Sequence, residues 1–87
     1  MAYEVRLHPR VQEFLDSLSE KERNRCVLIL ENLKDGPFKS RSGADIKKLK
    51  GKLRDLFRLR VGEYRFEYFF EENIVWVTKS FRRGHGY

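Results

Sequence analysis

Arginine is the residue that recurs where this sequence could do chemistry. Arg58, Arg60 and Arg65 lie close together, Arg82 and Arg83 follow, and His85 and Tyr87 come after them. A guanidinium stays protonated and presents paired N–H donors that match phosphate oxygens. Such groups hold a phosphodiester and neutralise charge that builds on it, often the largest single contribution to catalysis. They do not accept or give up protons. For RNA cut without a metal, the neighbouring 2′-hydroxyl is the nucleophile. A base must then take its proton and an acid must protonate the departing 5′-oxygen. Carriers are sought among His85, Tyr87, Lys79, Lys50, Lys52 and Glu67. His85 titrates near neutrality, Tyr87 can stack on a base or assist proton transfer, and Glu67 is read first as an ion-pair partner of Arg58. No pair of matched pKa stands out, which predicts slow cutting of free RNA.

The surrounding charge fits a polyanionic ligand. The 87 residues carry a formal net charge of +6, and the half from Ala44 onward holds almost all of it. Lys47, Lys48, Lys50, Lys52, Arg54, Arg58, Arg60 and Arg65 face only Asp55 and Glu63 in the window Lys47–Arg65. Clustering of this kind favours nucleic acid; a solvated charged face is the plainer reading. Lys47, Lys48, Lys50, Lys52, Arg54, Lys79 and Arg82 are therefore expected to contact RNA. No metal-ligand spacing, glycine-rich phosphate loop or Ser-His-Asp constellation is present, so no metal or cofactor is expected. One cysteine, Cys26, excludes an internal disulfide. The longest apolar run, Cys26–Leu30, is far too short for a membrane span. With no signal-peptide pattern at Met1-Ala2-Tyr3-Glu4, a cytoplasmic domain over residues 1–87 is expected.

The elements that must position these groups can be read from periodicity. Tyr3–Leu7 alternates as a half-buried strand. Pro9 suits a helix start, and Val11, Phe14, Leu15 and Leu18 share one helical face. Ser19 and Glu22 form a capping box opening a second helix with Cys26, Ile29, Leu30 and Leu33 at helical spacing, stopped by Gly36-Pro37. Ile46–Gly51 is ambiguous, because its lysines leave only Ile46 and Leu49 to bury. Leu56–Val61, Tyr64–Phe70 and Ile74–Phe81 read as three strands. The fold class is α+β, in the order β-α-α-β-β-β: an antiparallel sheet, its last three strands a meander, with both helices packed on one face.

A two-residue turn at Gly62-Glu63 pairs Val61 with Tyr64, Arg60 with Arg65, Leu59 with Phe66 and Arg58 with Glu67. Opposed residues share a face, so Leu59, Val61, Tyr64 and Phe66 go inward and the arginines stay together on the open side. Arg60 opposite Arg65 is repulsive unless an anion lies there; the alternative is neutralisation by Glu67 and Asp55. For the last hairpin a three-residue loop, Glu71–Asn73, is preferred. It pairs Arg65 with Lys79 and turns Ile74, Trp76 and Thr78 inward, whereas a two-residue loop, Glu72-Asn73, would put Lys79 in the core.

Leu49-Lys50-Gly51, the string Phe57-Arg58-Leu59-Arg60-Val61-Gly62-Glu63-Tyr64-Arg65, the final strand and the Arg-x-x-x-Tyr ending together resemble the RelE/ParE toxin superfamily, most closely its RelE branch. The resemblance implies the toxin of a type II toxin–antitoxin pair. It further implies a ribosome-dependent endoribonuclease that cuts mRNA in the ribosomal A site and is neutralised by a RelB-like antitoxin. By position it implicates Arg58, Arg60, Arg65, Arg83 and Tyr87, with Arg82 as the alternative to Arg83; His85 joins them on chemistry alone. Some relatives carry lysine where Arg58 and Arg60 stand, which leaves the charges in place. A ParE-like inhibitor of DNA gyrase and a non-catalytic RNA- or ribosome-binding module are the competing readings.

Overall fold

The computed structural model describes residues 2–38, 40, 44–51 and 53–84. β1 (Glu4–Leu7) leads into α1 (Pro9–Asp16) and α2 (Glu20–Glu31), and a 3-10 turn (Asn32–Asp35) follows. Four strands come next: β2 (Asp45–Leu49), β3 (Leu56–Val61), β4 (Tyr64–Glu71) and β5 (Ile74–Arg82). Their spatial order is β1-β5-β4-β3-β2. The last three strands form the expected meander. Two points correct the sequence reading. The ambiguous stretch is a strand, β2, antiparallel to β3 at the sheet edge. β1 lies parallel to β5, so the sheet is mixed rather than wholly antiparallel.

Local chemistry explains the helices. His8 caps α1, its Nδ1 accepting from the Arg10 N–H, and Pro9 occupies the first helical turn. Ser19 Oγ accepts from the Glu22 N–H, the forward half of a capping box. The reciprocal half is not made. Tyr64 Oη instead donates to Glu22 Oε2, which ties α2 to β4. Both helices lie over one sheet face. Val11 and Leu15 of α1 and Cys26 and Leu30 of α2 meet Leu59, Val61, Phe66, Tyr68, Val75 and Val77 in a dry core. Leu33 joins it from the 3-10 turn rather than from α2. No described helix is long and apolar enough to cross a membrane.

The β3–β4 register follows the expectation at every pair, including Arg60 with Arg65 and Arg58 with Glu67. Gly62 makes the turn possible, because its φ of +59° is costly for other residues and because Arg25 Nη1 would lie 3.2 Å from any Cβ added there.

The β4–β5 pairing corrects the preferred loop. Glu71 pairs with Ile74, so the turn is the two-residue Glu72-Asn73, with Glu72 at φ +56°. Val75 and Val77 are buried inward, while Ile74 and Trp76 pair with Glu71 and Phe69 on the open side. Lys79 nevertheless stays out of the core. Tyr68 pairs with Val77 and Glu67 with Lys79, leaving Thr78 as an extra residue in a β-bulge. The inserted residue flips side-chain parity. Beyond it Lys79 and Phe81 face outward, and Arg65 pairs with Phe81 instead of Lys79.

Candidate nucleic-acid interface

Register sorts the open face of the sheet into rows that run across the strands, with neighbours about 5 Å apart. One row is Asp45, Arg60, Arg65 and Phe81, and the next is Lys47, Arg58, Glu67 and Lys79. The row beyond is mainly apolar: Leu49 opposite Leu56 on one side, then Phe69, Trp76 and Arg6 on the other. The first two rows surround an open depression of about 270 Å³ lined by Asp45, Lys47, Arg58, Arg60 and Arg65. A concave group of one lysine and three arginines beside one carboxylate is suited to phosphate oxygens.

Each cation is held differently. Arg58 is largely withdrawn from solvent, its Nη2 3.3 Å from Glu67 Oε2, with side-chain exposures of only 18% and 15%. Its guanidinium also lies 5.7 Å from the Phe81 ring centre. Arg60 is 60% exposed and reaches back to Asp45 at 2.5 Å. Arg65 turns toward its own hairpin, donating from Nη1 to the carbonyls of Gly62 (2.8 Å) and Tyr64 (3.0 Å). The repulsion between Arg60 and Arg65 is thus relieved by an edge carboxylate and by turn carbonyls. Asp55, expected to help neutralise the cluster, pairs with Lys48 instead. Asp45 was hidden from sequence reading because its strand was unrecognised; an acidic residue just ahead of a lysine-rich strand was the available signal.

Of the expected RNA contacts, Lys47 and Lys79 share the arginine rows. Lys48 pairs with Phe57 and so lies on the helix-covered side. Lys50 and Arg54 sit in the β2–β3 connection, at the far end of the sheet from the Gly62 turn. Arg54 is engaged there by Glu71 at 3.0 Å and by the Phe69 ring at 4.2 Å. Arg82 pairs with Tyr64 on the helix side, bonds Glu63 at 3.3 Å and lies over the Tyr64 ring. Arg83 follows β5, and its backbone N–H donates to Glu63 O at 2.6 Å, which fixes it at the hairpin end that carries Arg60 and Arg65. Lys52, His85 and Tyr87 lie outside the described residues. Among the described residues no cluster of three or more His, Cys, Asp or Glu side chains could hold a metal.

Cys26 is buried in the core, and His8 serves as the cap of α1. Burial pushes the Cys26 thiol up to about 11, opposed by the nearby Arg25 charge and reinforced by Glu22.

No protein-family model and no curated protein matches the chain. Solved structures do. The archaeal RelE of the RelE–RelB complex from Pyrococcus horikoshii OT3 is 30% identical, with a TM-score of 0.82 over 99% of this chain and 100% of that one. The toxin–antitoxin complex RelBE2 from Mycobacterium tuberculosis matches at 22% identity and a TM-score of 0.77, over 95% of this chain and 100% of that one. The RelB–RelE complex from Methanococcus jannaschii matches at 22% identity and 0.68, over 87% of each chain. The last two show the fold; the first, with nearly a third of its residues identical along the full length of both chains, also shows kinship. The protein belongs to the RelE-like toxin superfamily.

Proposed function

We propose that this chain is the toxin of a type II toxin–antitoxin pair, a ribosome-dependent endoribonuclease cutting mRNA in the A site by 2′-hydroxyl attack. A RelB-like antitoxin neutralises it, as the RelE–RelB complexes among its structural matches suggest. The observation that carries the reading is the Arg58, Arg60, Arg65 and Lys47 depression on the uncovered sheet face, in a chain of this superfamily. Guanidinium groups there take the non-bridging oxygens and favour the pentavalent phosphorane over the starting diester. The products are a 2′,3′-cyclic phosphate and a 5′-hydroxyl. The shape of the depression supports ribosome dependence. The depression is open and does not by itself enclose the message, and a large partner that bends the message into an in-line geometry would supply what it lacks.

Mapping 5′ ends of cellular messages after induction tests this. Breaks phased with codons are expected; DNA damage without such breaks would instead support gyrase poisoning, and brisk cutting of naked RNA by the purified protein would remove the ribosome from the mechanism. Arg65→Ala and Arg83→Ala are expected to keep the fold, checked by thermal melting, and to abolish toxicity. Full toxicity in both would overturn the site.

A further inference from the structure

The arginine rows are suited to phosphate binding and leave the two proton transfers without an assigned owner among the described residues. The β-bulge supplies a pair. Thr78 is the extra residue, and its insertion turns Lys79 onto the open face directly across from Glu67. Were Thr78 instead an ordinary member of the ladder, strand parity would send Lys79 toward the helices. Bulges that re-aim a side chain are common beside active sites. Glu67 and Lys79 both line a second depression of about 350 Å³, together with Arg54, Leu56 and Phe69. Glu67 also bonds Arg58, which lines the phosphate depression, and it lies two residues from Arg65 on the same face of β4. It therefore stands at the junction of the two depressions. Asp45 is the other carboxylate in these two rows, but it sits on the edge strand and is occupied by Arg60. Lys79 makes no ion pair among the described residues.

We propose that Glu67 accepts the 2′-hydroxyl proton and that Lys79 donates a proton to the 5′-oxygen, an inference that rests on the endoribonuclease reading. In that step the 2′-oxygen forms the new bond to phosphorus as its proton passes to the Glu67 carboxylate. The bond from phosphorus to the 5′-oxygen breaks, its electron pair stays on that oxygen, and the Lys79 ammonium protonates it. The chain finishes with a neutral carboxyl and a neutral amine, and exchange with water resets both. Substrate phosphate competes with Glu67 for Arg58, which loosens the resting ion pair as the message binds.

The test is single-turnover cleavage by the full-length protein on ribosomes programmed with two messages. One is ordinary; the other carries sulfur in place of the 5′-bridging oxygen at the scissile bond, a leaving group that needs no acid. Lys79→Met is expected to slow the ordinary message by about 10²–10⁴-fold and to cut the sulfur message at the parent rate. Glu67→Gln, which keeps an oxygen for Arg58, is expected to slow both alike with RNA affinity no lower than the parent's and the fold retained. Glu67→Asp is expected to recover part of the rate, and this variant decides the question if the glutamine form does not fold. A Lys79→Met protein equally slow on both messages, or a Glu67→Gln protein at the parent rate, overturns the assignment. A parent protein that cuts neither message overturns the endoribonuclease reading itself.

Discussion

Arg58 and Arg60 carry the same charge on one strand face, yet their ion pairs differ in what they are worth. The Arg58–Glu67 pair is more than four-fifths out of solvent. Removing its carboxylate leaves a poorly hydrated charge, so Glu67→Ala is expected to cost about 2 kcal/mol in urea unfolding. The Arg60–Asp45 pair is half exposed, and Asp45→Asn is expected to cost less than about 0.5 kcal/mol. The same change strips a competitor from Arg60, so RNA affinity in a filter-binding assay is expected to rise. Cys26 gives a pH signature. Its thiol holds the proton more tightly folded than unfolded, because burial raises the value from 9.0 to about 11. The folded state thus retains a proton that the unfolded chain releases. The corresponding stability is complete below about pH 9 and is lost as pH rises toward 11, on the order of 2 kcal/mol. A Cys26→Ala protein, though weaker overall, is expected to show a smaller decline in unfolding free energy over that window.

The elements differ in how far one sequence discloses them. The bulge at Thr78 is the register device of the last hairpin, and deleting Thr78 joins Val77 directly to Lys79, which is expected to leave Lys79 opposite Glu67 and Phe81 opposite Arg65 in an unbroken ladder. The melting temperature followed by circular dichroism is then expected to stay within about 4–8 °C of the parent, the equivalent of about 1 kcal/mol. A fall of more than about 15 °C would mean that Thr78 is not the extra residue. Nothing local marks this bulge. Val75, Val77 and Lys79 alternate without a break, and only the pairing with β4 shows that Thr78 is extra. The β3–β4 hairpin was legible because a two-residue turn leaves one register and the apolar pattern allows only one face inward. β2 was not, because an edge strand tolerates lysine and Ile46 and Leu49 point to opposite sides of the sheet. Losing β2 also hid Asp45, hence the true partner of Arg60. The helical half read clearly from spacing and caps, except that Glu22 serves Tyr64 rather than the cap. The arginine cluster was visible from parity alone. The Glu67–Lys79 juxtaposition was not, since it rests on Thr78 standing outside the ladder.

Taken whole, the molecule covers one side of the sheet with its helices and sets Arg58, Arg60, Arg65, Lys47 and Lys79 together on the other. Its net charge of +6 adds long-range attraction for a polyanion that salt will screen. If about six phosphates are contacted, the log–log dependence of RNA affinity on salt is expected to have a slope near −4. A slope near zero would mean that the basic face does not meet the backbone. The parallel pairing of β1 with β5 also has a bearing on when the protein comes into being. Glu4–Leu7 is made early, but its neighbour, Ile74–Val77, is made late, so during synthesis the first strand waits unpaired while the helices and the hairpins emerge. Closing such a distant pairing is slow. A cell producing this chain therefore has an interval, between translation and the zipping of these two strands, in which the polypeptide exists and its arginine-bearing face is not yet part of a finished sheet.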